Sequence, residues 1–183
     1  MSNTVIPDTA GSAEISERFE INHVRVHSQR SFAEVKKTLE TVLKRLTEQV
    51  AAALGRGDVA AAREELERIE KPTGLSILYQ LDHGGALMLR GGARQAIQYG
   101  IGNVLTATDM SQHNLGAALY APLRVLVYGV ADGTVIEFDQ PSTLFAIFGH
   151  PHIKEVGLKL DRQLMAVVRY AAGLTNVAPD GNV

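Results

Sequence analysis

The sequence predicts a single α+β domain, and three observations carry that prediction. Residues 21–27 alternate apolar and polar side chains, as a half-buried strand does. Residues 31–71 hold eight basic and eight acidic side chains around apolar positions spaced three and four apart, the pattern of solvated amphipathic helices. Residues 75–150 hold only eight charged side chains and several further alternating segments, after which another amphipathic helix closes the chain. Strand, helices, several strands and helix is the order of a mostly antiparallel sheet covered by helices.

The elements follow in order. Met1 to Arg18 lacks any sustained period and reads as a flexible tail, leaving a domain over residues 19–173 and a second tail over 174–183. In the first strand Val24 and Val26 share one face, and His23, Arg25 and His27 the other. Ser31 and Glu34 stand at capping-box spacing. Phe32, Val35, Leu39, Leu43, Leu46, Val50 and Leu54 then predict one long helix ending near Gly55 and Gly57. Asp58 caps an extra helix, stopped by Pro72–Gly74. Leu75–Leu81 and Ala93–Ile101 read as strands, with a glycine-bracketed segment between them. Thr106–Gln112 reads as a short helix. Leu123, Val125 and Val127 alternate with Arg124, Leu126 and Tyr128 in a strand that turns at Asp132-Gly133 and returns as Val135–Phe138. Pro141-Ser142 starts a short helix. Ile153, Val156, Leu160, Leu164, Val167, Val168 and Ala171 form the inward stripe of the last helix.

Composition excludes several functions. The chain of 183 residues has a formal charge of −2, against the basic surplus a nucleic-acid binder needs. It has no cysteine, which rules out disulfides, Cys-ligated zinc, iron–sulfur clusters and thiolate catalysis. No apolar run approaches a membrane span, and no basic start precedes an apolar stretch, so a cytoplasmic protein is expected. Gly100-x-Gly102 meets Leu105 where a dinucleotide fingerprint needs glycine. There is no P-loop and no HExxH, and Gly74-Leu75-Ser76-Ile77-Leu78 lacks the final glycine of a nucleophile elbow.

A set of short motifs recurs in a recognisable order: Leu81-Asp82-His83-Gly84, Tyr99-Gly100-Ile101-Gly102-Asn103, the run Leu119–Tyr128, Asp132-Gly133, Phe138-Asp139-Gln140-Pro141-Ser142 and Leu160-Asp161. Over roughly residues 20–172 the chain resembles the domain of unknown function 302 family, also called TT1751-like. The resemblance implies a β-α-β(4)-α domain, here with an extra helix after the first, that pairs as a homodimer. It implies no particular biochemical activity. Two positions depart from the family pattern, which usually shows Gly-Asn-Pro where this chain has Gly102-Asn103-Val104, and often tyrosine where it has Phe138.

Candidate chemistry rests on a few side chains. His83, with Asp82 before it and glycines after it, ends a strand where ligands approach, and an imidazole there can act as acid or base near neutrality. The competing reading is a turn-capping Asp82 beside a hydrogen-bonded His83. Arg124, inside an apolar strand, can anchor a ligand carboxylate or phosphate, or pair across the hairpin with Glu137 or Asp139. Asn103, in a glycine-rich and almost uncharged segment, can hold an anion or a carbonyl oxygen. Tyr99, Tyr128 and His113 complete the expected wall. His150, His152 and Glu155 form a candidate metal set at the start of the last helix, against a plain helix-start reading.

These residues point to a small-molecule-binding domain with an apolar pocket. Acid–base chemistry of the isomerase, cyclase or lyase kind, without a cofactor, is its enzymatic form. One alternative is a metal- or haem-binding protein using its histidines; the other is a dimeric interaction module without a ligand. Convergence of His83, Asn103 and Arg124 on one concavity separates the first reading from the others.

Overall fold

The computed structural model describes residues 14–181; the N-terminal tail reading therefore falls mostly outside the described residues. Among the described residues six strands make one sheet: β1 (His23–Ser28), β2 (Lys44–Arg45), β3 (Ser76–Asp82), β4 (Ala96–Gly102), β5 (Leu123–Val130) and β6 (Gly133–Asp139), in the order β1-β6-β5-β4-β3-β2. All neighbours are antiparallel except β2, which runs parallel to β3. The described residues also form seven α-helices: α1 (Phe32–Val42), α2 (Glu48–Gly55), α3 (Val59–Glu70), α4 (His83–Ala86), α5 (Val104–His113), α6 (Pro141–Phe145) and α7 (Pro151–Ala171). The fold is the expected α+β one.

The register sorts the side chains by face. Tyr99 lies opposite Val125, and Val125 opposite Phe138, which faces Val24. Tyr99, Val125 and Phe138, with their neighbours Ile97, Val127 and Ile136, are buried beneath α1 and α7 in one main core, and half-buried Val24 packs against it. The other row carries Gln98, Leu126, Glu137 and Arg25 in register, all half-buried or exposed. The sheet therefore has a helix-covered face and an open face.

Local chemistry explains where helices start. Ser31 N donates to Glu34 Oε2 at 2.8 Å while Glu34 N donates to Ser31 Oγ at 3.4 Å, completing the capping box. Asp58 Oδ1 accepts from Ala61 N at 3.1 Å and opens α3.

The single long helix expected over residues 32–54 is corrected to two helices joined by β2. Leu43 turns extended after α1, Lys44 and Arg45 pair with Ser76 and Ile77, and Leu46 N donates to Ile77 O at 2.9 Å. The apolar spacing runs unbroken because Leu43 fills the main core and Val50 a second one, with Leu66 and Ile69 on α3. The α2–α3 pair thus sits at the β2 edge and reaches the start of α5 through Val104 and Leu105.

The glycine-bracketed segment is α4 followed by a 3₁₀ turn, Leu87–Arg90, and a further 3₁₀ turn, Leu115–Tyr120, follows α5. Residues 174–181 run back along α7, where Gln163 Nε2 donates to Gly181 O at 3.2 Å.

Candidate functional site

The predicted site residues fall in three separate places. At the β3–β4 end of the open face, Asp82 caps α4, its Oδ1 accepting from Gly85 N at 2.7 Å. His83 does not meet Asp82; its Nε2 lies 3.0 Å from Gln98 Oε1, and Gln98 in turn donates to the Tyr79 hydroxyl at 3.4 Å. His83 borders a shallow hollow with Leu87, Arg94, Leu126 and Tyr128. Adjacent residues leaving a strand point apart, so the two neighbours in sequence serve different partners.

Along the middle of that face the charges are mostly paired. Glu137 accepts from Arg25 at 2.5 Å and from the Tyr128 hydroxyl at 2.7 Å. The Tyr128 and Arg25 bonds hold the Glu137 carboxyl below its ordinary value, and the same Glu137 raises the Tyr128 phenol. His23 Nδ1 lies 2.9 Å from Asp139, which raises the imidazole. Arg124 makes no pair with Glu137 or Asp139 and has no hydrogen-bond or ion-pair partner among the described residues. It borders a hollow of about 280 Å³ with Tyr79, Tyr120 and Asp139.

Tyr99 lies elsewhere. It is fully buried on the helix-covered face, and its hydroxyl donates to Glu40 Oε1 at 3.2 Å. Burial, then Glu40, pushes its phenol well above the usual range. Burial disfavours the Glu40 carboxylate, but the contacts with Lys36, Tyr99 and Arg45 outweigh it and lower its value. Tyr99 is thus a core residue rather than the cavity wall expected. Phe138 is also in the core, opposite Val24 and Val125.

The third place is the α5 end of the sheet. Asn103 caps α5, with Oδ1 accepting from Thr106 N at 2.7 Å and Nδ2 donating to Gly74 O at 3.0 Å. Beside it, buried Glu70 accepts from Val104 N at 2.6 Å, a bond that proline at position 104 cannot make. Burial pushes the Glu70 carboxyl up to about 7, against the backbone N–H groups of Val104 and Leu105 that lower it. Between α5, the start of β5 and α6 lies a cavity of about 250 Å³, bordered by Leu78, Ala107, Met110, Leu123 and Phe145 with Asn103 at its edge. Its lining is almost wholly apolar and includes no titratable side chain.

On the α5 flank facing the start of α7, Asp109 and His113 meet His150 and His152. His152 Nε2 lies 2.5 Å from Asp109 Oδ2. His113 stacks on His150 with centroids 4.6 Å apart and meets His152 edge-on at 4.9 Å. Glu155, expected with these histidines, is exposed and outside the group. Asp109 takes its place, and the sequence held a signal for it: Asp109 and His113 stand at i, i+4 on one helix face.

The arrangement defines a class, a one-domain α+β protein with a half-covered sheet and an apolar cavity at one end. The sequence profile described as Domain of unknown function DUF302 matches residues 49–171, most of the chain, and the protein belongs to that family. No curated protein matches the chain. Among solved structures, it is similar to an uncharacterized conserved protein DUF302 from Bacillus stearothermophilus. That match has a TM-score of 0.57 and 18% identity, and covers 81% of this chain and 97% of that one. No helix among the described residues is long and apolar enough to cross a membrane.

Proposed function

We propose that the protein is a binding domain for a small, largely apolar molecule seated in the cavity beside α5. The observation that carries this reading is the cavity itself. Small-molecule sites are concave and mostly apolar, and this half-open cavity offers about 250 Å³ between apolar walls. Exposed Thr108 and Ala118 at its border give it access to solvent. A cavity of about 150 Å³ is enough to take benzene, so a monocyclic or short branched ligand is the fitting class. Thr106 lines the cavity with a hydroxyl that has no partner among the described residues, and it supplies one polar contact to orient the ligand.

Because His83, Asn103 and Arg124 border three different hollows, the geometry supports binding rather than acid–base turnover. A panel of monocyclic apolar compounds, read by thermal shift, tests this. Ligands should stabilise the wild type by about 2.7 kcal/mol at a hundredfold excess over Kd. They should leave Ala107→Leu, which fills the cavity, unmoved. Equal stabilisation of both proteins would place the ligand elsewhere.

The homodimer belongs to the same reading. Leu81, Leu115 and Leu119 are exposed at 49%, 82% and 81%, which gives a second copy apolar surface to cover beside the open face. Sedimentation of wild type against Leu119→Lys tests it, with loss of the dimer expected and an unchanged dimer contradicting it.

A further inference from the structure

We propose that Asp109, His113 and His152 form a binding site for a divalent transition-metal ion, bridging the end of α5 to the start of α7. The ligand atoms of these three side chains lie within 4.8 Å of one another. Metal–ligand distances of about 2.0–2.2 Å place tetrahedral ligand atoms roughly 3.3 Å apart, so closure needs only side-chain rotation. His152 Nε2 and Asp109 Oδ2 already lie in hydrogen-bond contact at 2.5 Å. A metal ion replaces that hydrogen bond, any proton in it being released to solvent, with His113 as the third ligand.

The surroundings are those of a supported site. Gln112 Nε2 donates to the other Asp109 oxygen, Oδ1, at 2.7 Å and orients the carboxylate. The His150 ring stacks at 22° on His113 and fixes the plane in which that imidazole presents its nitrogens. His150 Nδ1 is buried and has no hydrogen-bond partner among the described residues, so a third imidazole stands against the group without another task. His113 lies in the last turn of α5, where the helix end favours a cation.

Two imidazoles and one carboxylate, with room for water, select zinc, nickel, copper or ferrous iron over magnesium or calcium, which prefer oxygen cages. The cavity makes the site's position matter. Ala107, Met110 and Ser111 of α5 border the cavity while Asp109 and His113 face α7, so a metal fastens the helix that forms the cavity wall.

The test uses full-length, tag-free protein treated with chelator and titrated with zinc chloride by calorimetry, with magnesium chloride alongside. One zinc per chain is expected, with no magnesium binding and a higher melting temperature in zinc. His113→Ala, His152→Ala and Asp109→Asn should each weaken zinc at least tenfold, while His27→Ala on β1 binds as the wild type does. Circular dichroism of each metal-free variant separates lost ligation from lost folding, and His113→Asn serves where the alanine variant does not fold. Absence of zinc binding to the wild type, or undiminished binding by a folded His113→Ala/His152→Ala double variant, overturns the proposal. Neither result bears on the apolar cavity, which is read separately by its own ligands.

Discussion

The two ends of the sheet treat histidine differently. At the β3–β4 end, His83 follows an aspartate in sequence yet meets only Gln98, because Asp82 is engaged in capping α4. At the α5 end, His152 bonds to Asp109 although the two are 43 positions apart, and His113 lies beside both with His150 stacked on it. Neighbours along a strand end diverge, whereas a helix end packed on a helix start can bring distant side chains together. The linings differ as well. The His83 hollow is bordered by Arg94, Gln98 and Tyr128, while the cavity at the α5 end has almost wholly apolar walls. Proximity in the chain is therefore a poor guide to chemistry here, and packing of α5 against α7 a good one.

Stability should follow this contrast, with the α5 end the more sensitive. The largest effect is expected at Glu70. Its folded value of about 7 exceeds its ordinary 4.5, so the folded chain holds the proton more tightly than the unfolded chain. The stabilisation is fully present below about pH 4.5 and is lost as pH rises towards 7, a change of about 3 kcal/mol. Glu70→Gln should remove this dependence. Urea unfolding from pH 4 to 8 should show the wild type losing ground to the variant, and parallel profiles would contradict the account.

Next is Asn103→Ala, which removes the α5 cap and the bond to Gly74 and should cost about 1–2 kcal/mol by thermal unfolding. Asp82→Ala removes a cap from a helix of only four residues and should cost less, about 0.5–1 kcal/mol. Smallest are His83→Ala and Arg124→Ala, each within about 0.5 kcal/mol of wild type, since neither side chain is buried. A loss above about 2 kcal/mol at either would mean the open face holds structure not apparent in its contacts.

Much of the fold was legible from the sequence because local rules and tertiary packing agree. The Ser31–Glu34 box, the Asp58 cap, the alternation in β1 and β5 and the Asp132-Gly133 turn all express short-range chemistry. The break between α1 and α2 was not legible. It depends on Lys44 and Arg45 pairing with Ser76 and Ile77, a distant contact that leaves the helical spacing of Leu43, Leu46 and Val50 intact. At the site, His150 and His152 are legible as a metal candidate by their spacing, but His113 reads as a pocket wall, and nothing local joins it to them. Glu155 fitted by spacing on one helix alone, and the carboxylate that meets the histidines belongs to the other helix. Tyr99 misled for a related reason. Its glycine-rich context suggested an open backbone, whereas Gly100 gives way to the Tyr79 ring, which would stand 2.3 Å from a Cβ there.

Methyl-resolved NMR during titration with benzene and related monocyclic compounds tests the central claim most directly, that ligand binding belongs to the α5 end. The account predicts saturable shifts centred on Ala107, Met110, Ala118 and Leu123, absent in Ala107→Leu. Shifts centred instead on Leu87, Leu126 and Val130 around His83, or none at saturating ligand, would contradict it.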